Sequence, residues 1–425
     1  MKTAAIHSIF LETTGAVTDT RKIEKDSIFF SLKGANFNGN EFAEQALKKG
    51  AKYAVVDEAK FNTSENIILV DDCLKALQKL AKFHREYLKL PIVSLTGSNG
   101  KTTTKELINA VLSKKFRTVA TQGNLNNHIG VPLTLLSMNK TTEIGIVEMG
   151  ANHQKEIEGL CNIALPDYGF ITNFGKAHLE GFGGVEGVIK GKSELYTHLI
   201  KHQKTIFYNA DDKIQAEKLH GYKNKIGFST KNESNLKIEQ KDSNSYVSIY
   251  YGNKAINSNL IGDYNFTNIA AAILIGKHFE VPDEDTKEAI EAYTPSNNRS
   301  QIIKKEDRTI ILDAYNANPS SMEAALNNFK RLQSNSKLVI LGDMFELGVD
   351  AEIEHQYIAD LVAEMNFDNA VLVGENFFKT KSTLIKFKNF NDLQTYLKKE
   401  QPKEQNILIK GSRGMALERA LDLLK

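Results

Sequence analysis

The sequence predicts an α/β fold in three domains, and three observations carry that expectation. The chain has 425 residues, too long for one compact core when domains run at roughly 100 to 200 residues each. The stretch Ile92 to Lys105, "IVSLTGSNGKTTTK", reads as buried strand, glycine turn and helix. From Gln301 onward, four apolar runs each end in a turn and most lead into a helical pattern, as in a small doubly wound domain.

Taken in order, the first part of the chain carries the apolar runs "SIFFSL", "YAVVD" and "NIILV" between Gly/Asn-rich turns. In "EFAEQALKKG", Phe42, Ala46 and Leu47 fall at helical spacing, with Gly50 as the expected C-terminal cap. A second helix is expected from Leu74 to Tyr87, and Leu90-Pro91 marks a boundary because proline disfavours helix in the residue before it. The first domain is therefore placed at residues 1–89.

The second begins with "IVSL", a continuous apolar run of parallel-sheet type. The helix after it places Leu107, Val111 and Leu112 on one face. Further strands are expected at "EIGIVEMG", "YGFITN" and "KTIFYNA". Lys223 to Leu260 is polar and alternates in "SYVSIYYG", which reads as an antiparallel excursion. Helix returns at "NFTNIAAAILIGKHF", and the turn-rich "YTPSNNRSQ" closes this domain, placed at residues 90–297. The third, residues 298–425, holds the strands "TIILDAY", "KLVILGD", "NAVLVG" and "NILIKG".

Charged residues make up 25% and hydrophobic residues 41% of the chain, an ordinary globular composition. Against 54 Lys+Arg stand 52 Asp+Glu, a net charge of +2. No global field draws the protein to nucleic acid, so neither nucleic acid nor membrane insertion is expected. Cys73 and Cys161 lack metal-type spacing and read as two buried thiols in a reducing compartment. The N-terminal "MKTAAIHSIFLETTG" has no apolar core of signal-peptide length, and no run of about 18 apolar residues follows. A cytoplasmic protein is expected.

The chemistry starts at the glycine turn. Leu95 stands where the strict Walker A pattern asks for glycine. Even so, small residues between a buried strand and a helix turn backbone N–H groups toward an anion, with the helix dipole behind them. Lys101 can reach the β/γ-phosphates and the Thr102 hydroxyl can hold Mg2+. Glu148 closes "EIGIVEMG" and serves either as a magnesium carboxylate or as a solvated cap. His178 in "ITNFGKAHLEGFGG" is either structural or a ligand, and Lys192 in "GVIKGKSELY" reads from pattern alone as a solvated helix lysine.

Together these motifs resemble the ATP-dependent Mur ligases of peptidoglycan synthesis, whose loop is T-G-x-x-G-K-T. "NLNNHIGVPLTLL", "DAYNANPSSM", "LGDMFELG" and "KGSRGMALE" are similar to the members that join D-alanyl-D-alanine to UDP-N-acetylmuramoyl-tripeptide. "TDTRKIEKDSIFFSLKGANFNGNEFAEQALKKGA" is similar to the family's UDP-sugar module. The resemblance implies an N-terminal UDP-sugar-binding module, a central P-loop ATPase-like domain and a C-terminal Rossmann-like domain.

By resemblance, ATP would be held by Gly97, Ser98, Asn99, Gly100, Lys101, Thr102 and Thr103, with Asn268 at the adenine and Arg299 and Asp313 from the junction and third domain. One Mg2+ would use Thr102 and Glu148; a second would use His178 and a carbamylated Lys192. Lys101, Glu148, His178 and Lys192 would be catalytic. Thr20, Arg21 and Lys33 would meet the UDP-sugar, and Asn126, Asn127, Asn316 and Asn318 the peptide substrates. The tripeptide carboxylate would attack the γ-phosphate of ATP, and the D-Ala-D-Ala amine would then attack the resulting acyl phosphate. A monomer is expected.

Tyr264 departs from a histidine common in the family, and Asn38 and Asn40 stand where the first domain often has Asp and His. Two rival readings are a family member adding the third peptide residue, whose D-N-P-R-type motif is missing here, and a P-loop phosphotransferase or nucleotide-switched binding protein.

Overall fold

The computed structural model describes residues 1–241, 246–252, 254–296, 298–333 and 336–424. Asn297 and Lys425, where the second and third expected domains end, and Ser245, which opens "SYVSIYYG", lie outside the described residues.

The first part of the chain holds β1 (Ala16–Val17), β2 (Ile28–Phe30), β3 (Lys33–Gly34), β4 (Phe37–Asn38), β5 (Tyr53–Val56) and β6 (Ile67–Leu69). A parallel sheet runs in the order β1-β2-β5-β6, while β3 and β4 pair as a short antiparallel hairpin. The helix Cys73–Leu88 starts on Asp72, whose side chain accepts from the Lys75 N–H at 2.8 Å, and ends on Lys89 in the left-handed region. Its apolar stripe packs against helices Gly130–Leu136 and Glu156–Ala164 of the next region, so this helix joins the two.

No element was expected over residues 3–10, yet Thr3–Phe10 is a helix. Ile6, His7 and Phe10 are buried there, and the fold around Cys73–Leu88 supplies the partners that a lone short helix lacks. His7 Nε2 and His84 Nδ1 lie 3.0 Å apart, and His84 Nε2 is 2.9 Å from the Met138 carbonyl. That chain requires His84 to carry its proton on Nε2 and accept at Nδ1. Burial is the largest cause holding both imidazoles below their usual value of 6.5. The unfolded chain therefore binds protons near pH 6.5 that the folded chain refuses, so this stability is present above that pH and lost as pH falls. Thermal melts are expected to weaken between about pH 7 and pH 5, and His84→Gln to flatten that slope. Parallel slopes in the two proteins would refute the assignment.

The central sheet contains β7 (Ile92–Thr96), β8 (Thr118–Ala120), β9 (Ile144–Glu148), β10 (Tyr168–Ile171), β11 (Thr205–Asn209), β12 (Lys225–Ser229), β13 (Leu236–Lys241), β14 (Tyr246–Tyr251) and β15 (Lys254–Ile261). Their order is β15-β14-β13-β12-β11-β10-β7-β9-β8. β7 to β13 pair in parallel and the last two strands turn antiparallel, so the antiparallel excursion expected from Lys223 onward begins only after β13: β12 (Lys225–Ser229) still pairs in parallel on both sides, and the change of direction falls where "SYVSIYYG" alternates. β7 is buried at every residue and lies between β9 and β10, which puts the switch in strand order at its C-terminal end. The helix Tyr264–His278, buried on all sides from Asn268 to Gly276, packs along the helix Lys101–Leu112 that follows β7.

The last sheet holds β16 (Gln301–Lys305), β17 (Arg308–Asp313), β18 (Lys337–Gly342), β19 (Asn369–Val373), β20 (Ile385–Phe387) and β21 (Asn406–Lys410), ordered β16-β17-β21-β18-β19-β20. β16 is an antiparallel edge and the rest pair in parallel. The C-terminal ends of β17 and β21, side by side through the register of Asp313 with Lys410, face the phosphate loop.

Candidate active site

Backbone conformation explains the glycines of the loop after β7. Gly97 has φ +146°, and a Cβ there would come within 2.0 Å of Thr172 Oγ1; Gly100 has φ +80°, and a Cβ would meet Asn268 Oδ1 at 2.6 Å. The loop is braced from β10's far end: the Ser98 N–H donates to the Asn173 carbonyl at 3.1 Å, and the Asn99 N–H to Asn173 Oδ1 at 3.0 Å. The first turn of Lys101–Leu112 then presents N–H groups without intrahelical acceptors toward this concavity, the arrangement that binds phosphate. Lys101 folds over the loop, Nζ donating to the Gly97 carbonyl at 2.7 Å and the Ser98 carbonyl at 3.2 Å. Burial brings its pKa down to about 8, with Arg299 pushing the same way and Glu148 opposing.

Glu148 ends β9 at the same rim. Its N–H donates to Thr121 Oγ1 at 3.0 Å, and Oε1 accepts from Asn126 Nδ2 at 2.8 Å. The other oxygen, Oε2, is buried without a hydrogen-bond partner among the described residues. A carboxylate oxygen left bare beside a phosphate loop suits a divalent cation, and the nearly buried Thr102 offers a hydroxyl from the helix. Among the described residues, no three of His, Cys, Asp and Glu converge on a metal position.

The last domain closes the site from the opposite side. Lys410, buried at the end of β21, donates to Asp313 Oδ2 at 2.6 Å and to the Asn316 carbonyl at 3.3 Å. Asn318 caps the helix Pro319–Arg331 through a capping box and donates from Nδ2 to Asn99 Oδ1 at 2.7 Å, touching the phosphate loop itself. Ser320 Oγ accepts from the Lys176 N–H at 3.0 Å, Lys176 Nζ pairs with Glu354 at 2.5 Å, and His178 Nδ1 pairs with Glu346. Tyr264, at the position where the sequence departs from histidine, shares a 2.7 Å hydrogen bond with Ser300 Oγ across the same junction.

A cavity of 1060 Å³ lies between these walls. Ser98 to Thr103, Asn126, Asn127, Glu148, His178, Asn268, Arg299, Asp313, Asn316 and Asn318 all line it. The Asn268 amide is already engaged, accepting from Thr104 Oγ1 at 3.0 Å and donating to Asn265 Oδ1 at 2.8 Å, so it braces Gly100 from behind. His178 lies beyond the end of β10, at the start of the short helix Leu179–Phe182.

Thr20, Arg21 and Lys33 do not line this cavity. Arg21 is exposed and paired to Asp19, the Thr20 carbonyl accepts from Lys49, and Lys33 pairs with Asp57 at 2.9 Å and Glu58 at 3.1 Å. Asn38 and Asn40 donate to the same two carboxylates.

Lys192 corrects the reading made from pattern alone: it is fully buried, not solvated. The cause lies in its helix, Val185–Lys192, where a Cβ on Gly187 would strike the Phe182 carbonyl at 1.8 Å and one on Gly191 would strike the Phe182 ring at 2.4 Å. These glycines let the chain around Phe182 settle on the helix and cover the lysine. Nζ lies 4.9 Å from the Phe182 ring centroid and donates to the Ala151 carbonyl at 3.1 Å. Burial lowers its proton affinity well below the usual lysine value. Ala151 lines the cavity, whereas Lys192 lies behind it.

Sequence reasoning named no role for Lys410, Tyr315, Asn265, Glu346 or Arg413, all of which line or brace the site. For Lys410 a signal existed, a lysine closing the apolar run "NILIK", where a buried strand end demands a partner charge.

Family profiles match in chain order: the Mur ligase family catalytic domain over residues 12–85, the Mur ligase middle domain over 95–276, and the Mur ligase glutamate ligase domain over 298–421. The chain is 36% identical over 418 residues to the UDP-N-acetylmuramoyl-tripeptide–D-alanyl-D-alanine ligase of Bacillus subtilis, covering 95% of this chain and 91% of that one. Among solved structures, MurF from Acinetobacter baumannii superposes with a TM-score of 0.85 at 30% identity, covering 98% of this chain and 97% of that one. MurF ligase from Thermotoga maritima, in complex with ADP, gives a TM-score of 0.84 at 26% identity, covering 97% of each chain. With three family domains matched in order and a full-length relative at this identity, the chain belongs to the Mur ligase family.

Proposed function

We infer that this chain is an ATP-dependent ligase that joins D-alanyl-D-alanine to UDP-N-acetylmuramoyl-tripeptide in peptidoglycan precursor synthesis. The likeness to the Bacillus subtilis ligase along nearly the whole chain carries the substrate assignment. The site agrees with it in size: at 1060 Å³ the cavity stands at the upper end of the roughly 300–1,000 Å³ of ligand pockets, as a nucleotide site flanked by substrate requires.

The chemistry requires anions to meet. A tripeptide carboxylate oxygen attacks the γ-phosphorus, the bond to the ADP oxygen breaks, and an acyl phosphate forms. The dipeptide amine then attacks the carbonyl carbon, phosphate leaves with the C–O bond electrons, and the amine loses a proton. Lys101 and the helix N–H groups neutralise the phosphates, while Arg299 adds charge from the junction. Lys410 fixes Asp313, holding the end of β17 against the nucleotide side. Contacts such as Asn318 to Asn99 complete the site only when the last domain is seated, so the acyl phosphate forms away from bulk water.

Mg2+ bound to Thr102 and Glu148 would screen the phosphate charge, and a second ion would rest on His178 and a carbamylated Lys192. Residues 1–89 would bind the UDP-sugar through Thr20, Arg21 and Lys33, residues 90–297 would bind ATP, and residues 298–425 would carry the ligase half. Asn126, Asn127, Asn316 and Asn318 would contact the peptide substrates. No helix among the described residues is long and apolar enough to cross a membrane; the proposal places the enzyme in the cytoplasm as a monomer.

Phosphate release in the presence of ATP, UDP-MurNAc-tripeptide and D-Ala-D-Ala tests the reading, run with both lysine and meso-diaminopimelate tripeptides. Release is expected only with all three present. Release independent of the dipeptide would point instead to the phosphotransferase or switch reading.

A further inference from the structure

Five lysine and arginine side chains line the cavity: Lys101, Lys155, Arg299, Lys410 and Arg413. Lys101 caps its own loop, Lys155 pairs with Glu158 at 2.6 Å, and Lys410 pairs with Asp313 at 2.6 Å. Arg299 and Arg413 have no carboxylate partner among the described residues. Both lie against Tyr315, their guanidinium carbons 3.8 Å and 5.0 Å from its ring centroid. Arg299 is next to Ser300, whose N–H donates to Asp313 at 3.3 Å, and so belongs with the nucleotide side. Arg413 shares the Tyr315 ring but sits on the exposed turn Arg413–Met415 that follows β21.

The surroundings of Arg413 are those of a small amphiphilic ligand. Phe345 lines the cavity and is 43% exposed, so part of its ring is free. Its N–H donates to Ser412 Oγ at 3.0 Å, which fixes the ring beside the arginine turn. A Cβ on Gly414 would come within 2.7 Å of that ring, so the glycine lets the turn and the ring lie in close contact as they stand.

The reaction proposed above, on which this inference rests, brings in one more carboxylate than the phosphate machinery handles. The C-terminal carboxylate of the dipeptide does not react, yet it must be held near an acyl phosphate that repels it. A guanidinium presents a fork of N–H donors matched to a carboxylate, and in a partly desolvated site such a pair is strong. We propose that Arg413 receives the C-terminal carboxylate of the incoming dipeptide, with Phe345 packing against its methyl side chains. Arg413 thereby sets which end of the dipeptide points at the acyl phosphate.

The test compares D-Ala-D-Ala with its C-terminal amide in the wild-type enzyme, Arg413→Ala and Arg413→Lys, reading KM for dipeptide, ATP and UDP-tripeptide separately. The wild type is expected to show a KM about 30-fold higher for the amide, the usual scale for losing a charge-assisted hydrogen bond. Arg413→Ala is expected to raise the KM for the acid by about the same factor and to treat acid and amide alike. Arg413→Lys falls between, because it restores charge without the fork. The KM values for ATP and UDP-tripeptide stay unchanged in both variants. An Arg413→Ala enzyme that still prefers the acid, or one whose ATP KM rises while its dipeptide KM does not, overturns the assignment. Wild-type phosphate release that ignores the dipeptide defeats the ligase reading itself, so the two failures are distinguishable.

Discussion

Glu148→Gln is expected to lower kcat/KM for ATP by about a hundred- to a thousandfold while leaving the protein as stable as the wild type or more so. The substitution keeps the shape of the side chain, and a glutamine oxygen still accepts the Asn126 Nδ2 bond now made to Oε1 at 2.8 Å. What it removes is the charge at Oε2, a buried oxygen with no protein donor among the described residues. Leaving a buried polar atom unpaired costs about 1–3 kcal/mol, and more for a charged group. Such a cost persists in a folded protein where the group serves a ligand, so stability and activity are expected to move in opposite directions on its removal. Thermal melts with and without Mg-ATP check both halves. Melting that rises on Mg-ATP addition in the wild type and fails to rise in Glu148→Gln supports the assignment. Equal ligand-induced shifts in both proteins would remove Glu148 from the metal site.

How much of this was legible in the sequence divides along the range of each interaction. The phosphate loop is local: a buried strand, a glycine turn and a helix N-terminus all fall between Ile92 and Leu112, and the pattern predicted each, the structure adding that Gly97 and Gly100 have positive φ. Glu148 was legible as an acid closing an apolar strand, because parallel sheets collect ligands at that edge. The contacts that seat the last domain were not legible. Asn99 meets Asn318 across 219 positions and His178 meets Glu346 across 168, and no spacing rule connects such pairs. The helix Thr3–Phe10 was missed for the same reason, since its stability comes from a helix far along the chain.

Lys192 failed as a pattern for a different reason. Its helix looks ordinary and amphipathic, and only the packing of Phe182 over Gly187 and Gly191 buries the amine. A lysine buried under an aromatic ring is a three-dimensional fact that a helical wheel does not contain. The resemblance to a family supplied the expectation that periodicity could not.

That burial makes the second large prediction specific. Lys192→Ala is expected to reduce turnover by at least about a hundredfold, and millimolar formate or acetate to restore part of it. A buried lysine whose Nζ donates to one carbonyl and faces an aromatic ring makes no ion pair among the described residues, and Glu156 and Glu194 act on it only from longer range with Lys101 opposing, an expensive way to build a merely structural contact. Carbamylation changes the balance: the amine nitrogen bonds to the carbon of CO2, a proton leaves, and the product carries a negative charge with two oxygen donors. The remaining N–H can still donate to the Ala151 carbonyl. Alanine opens a cavity where the lysine stem stood, so a small carboxylate can enter and stand in for the lost group. Lys192→Met fills the same space with an apolar chain and serves as the control: it is expected to be as inactive as alanine but not rescued, because the acid has nowhere to sit. Rescue of both variants would mean that the acid acts elsewhere, and full activity in either would end the carbamate proposal. Labelled bicarbonate offers an independent readout, since a carbon signal on the wild-type protein that is missing in Lys192→Met locates the modification without reference to turnover.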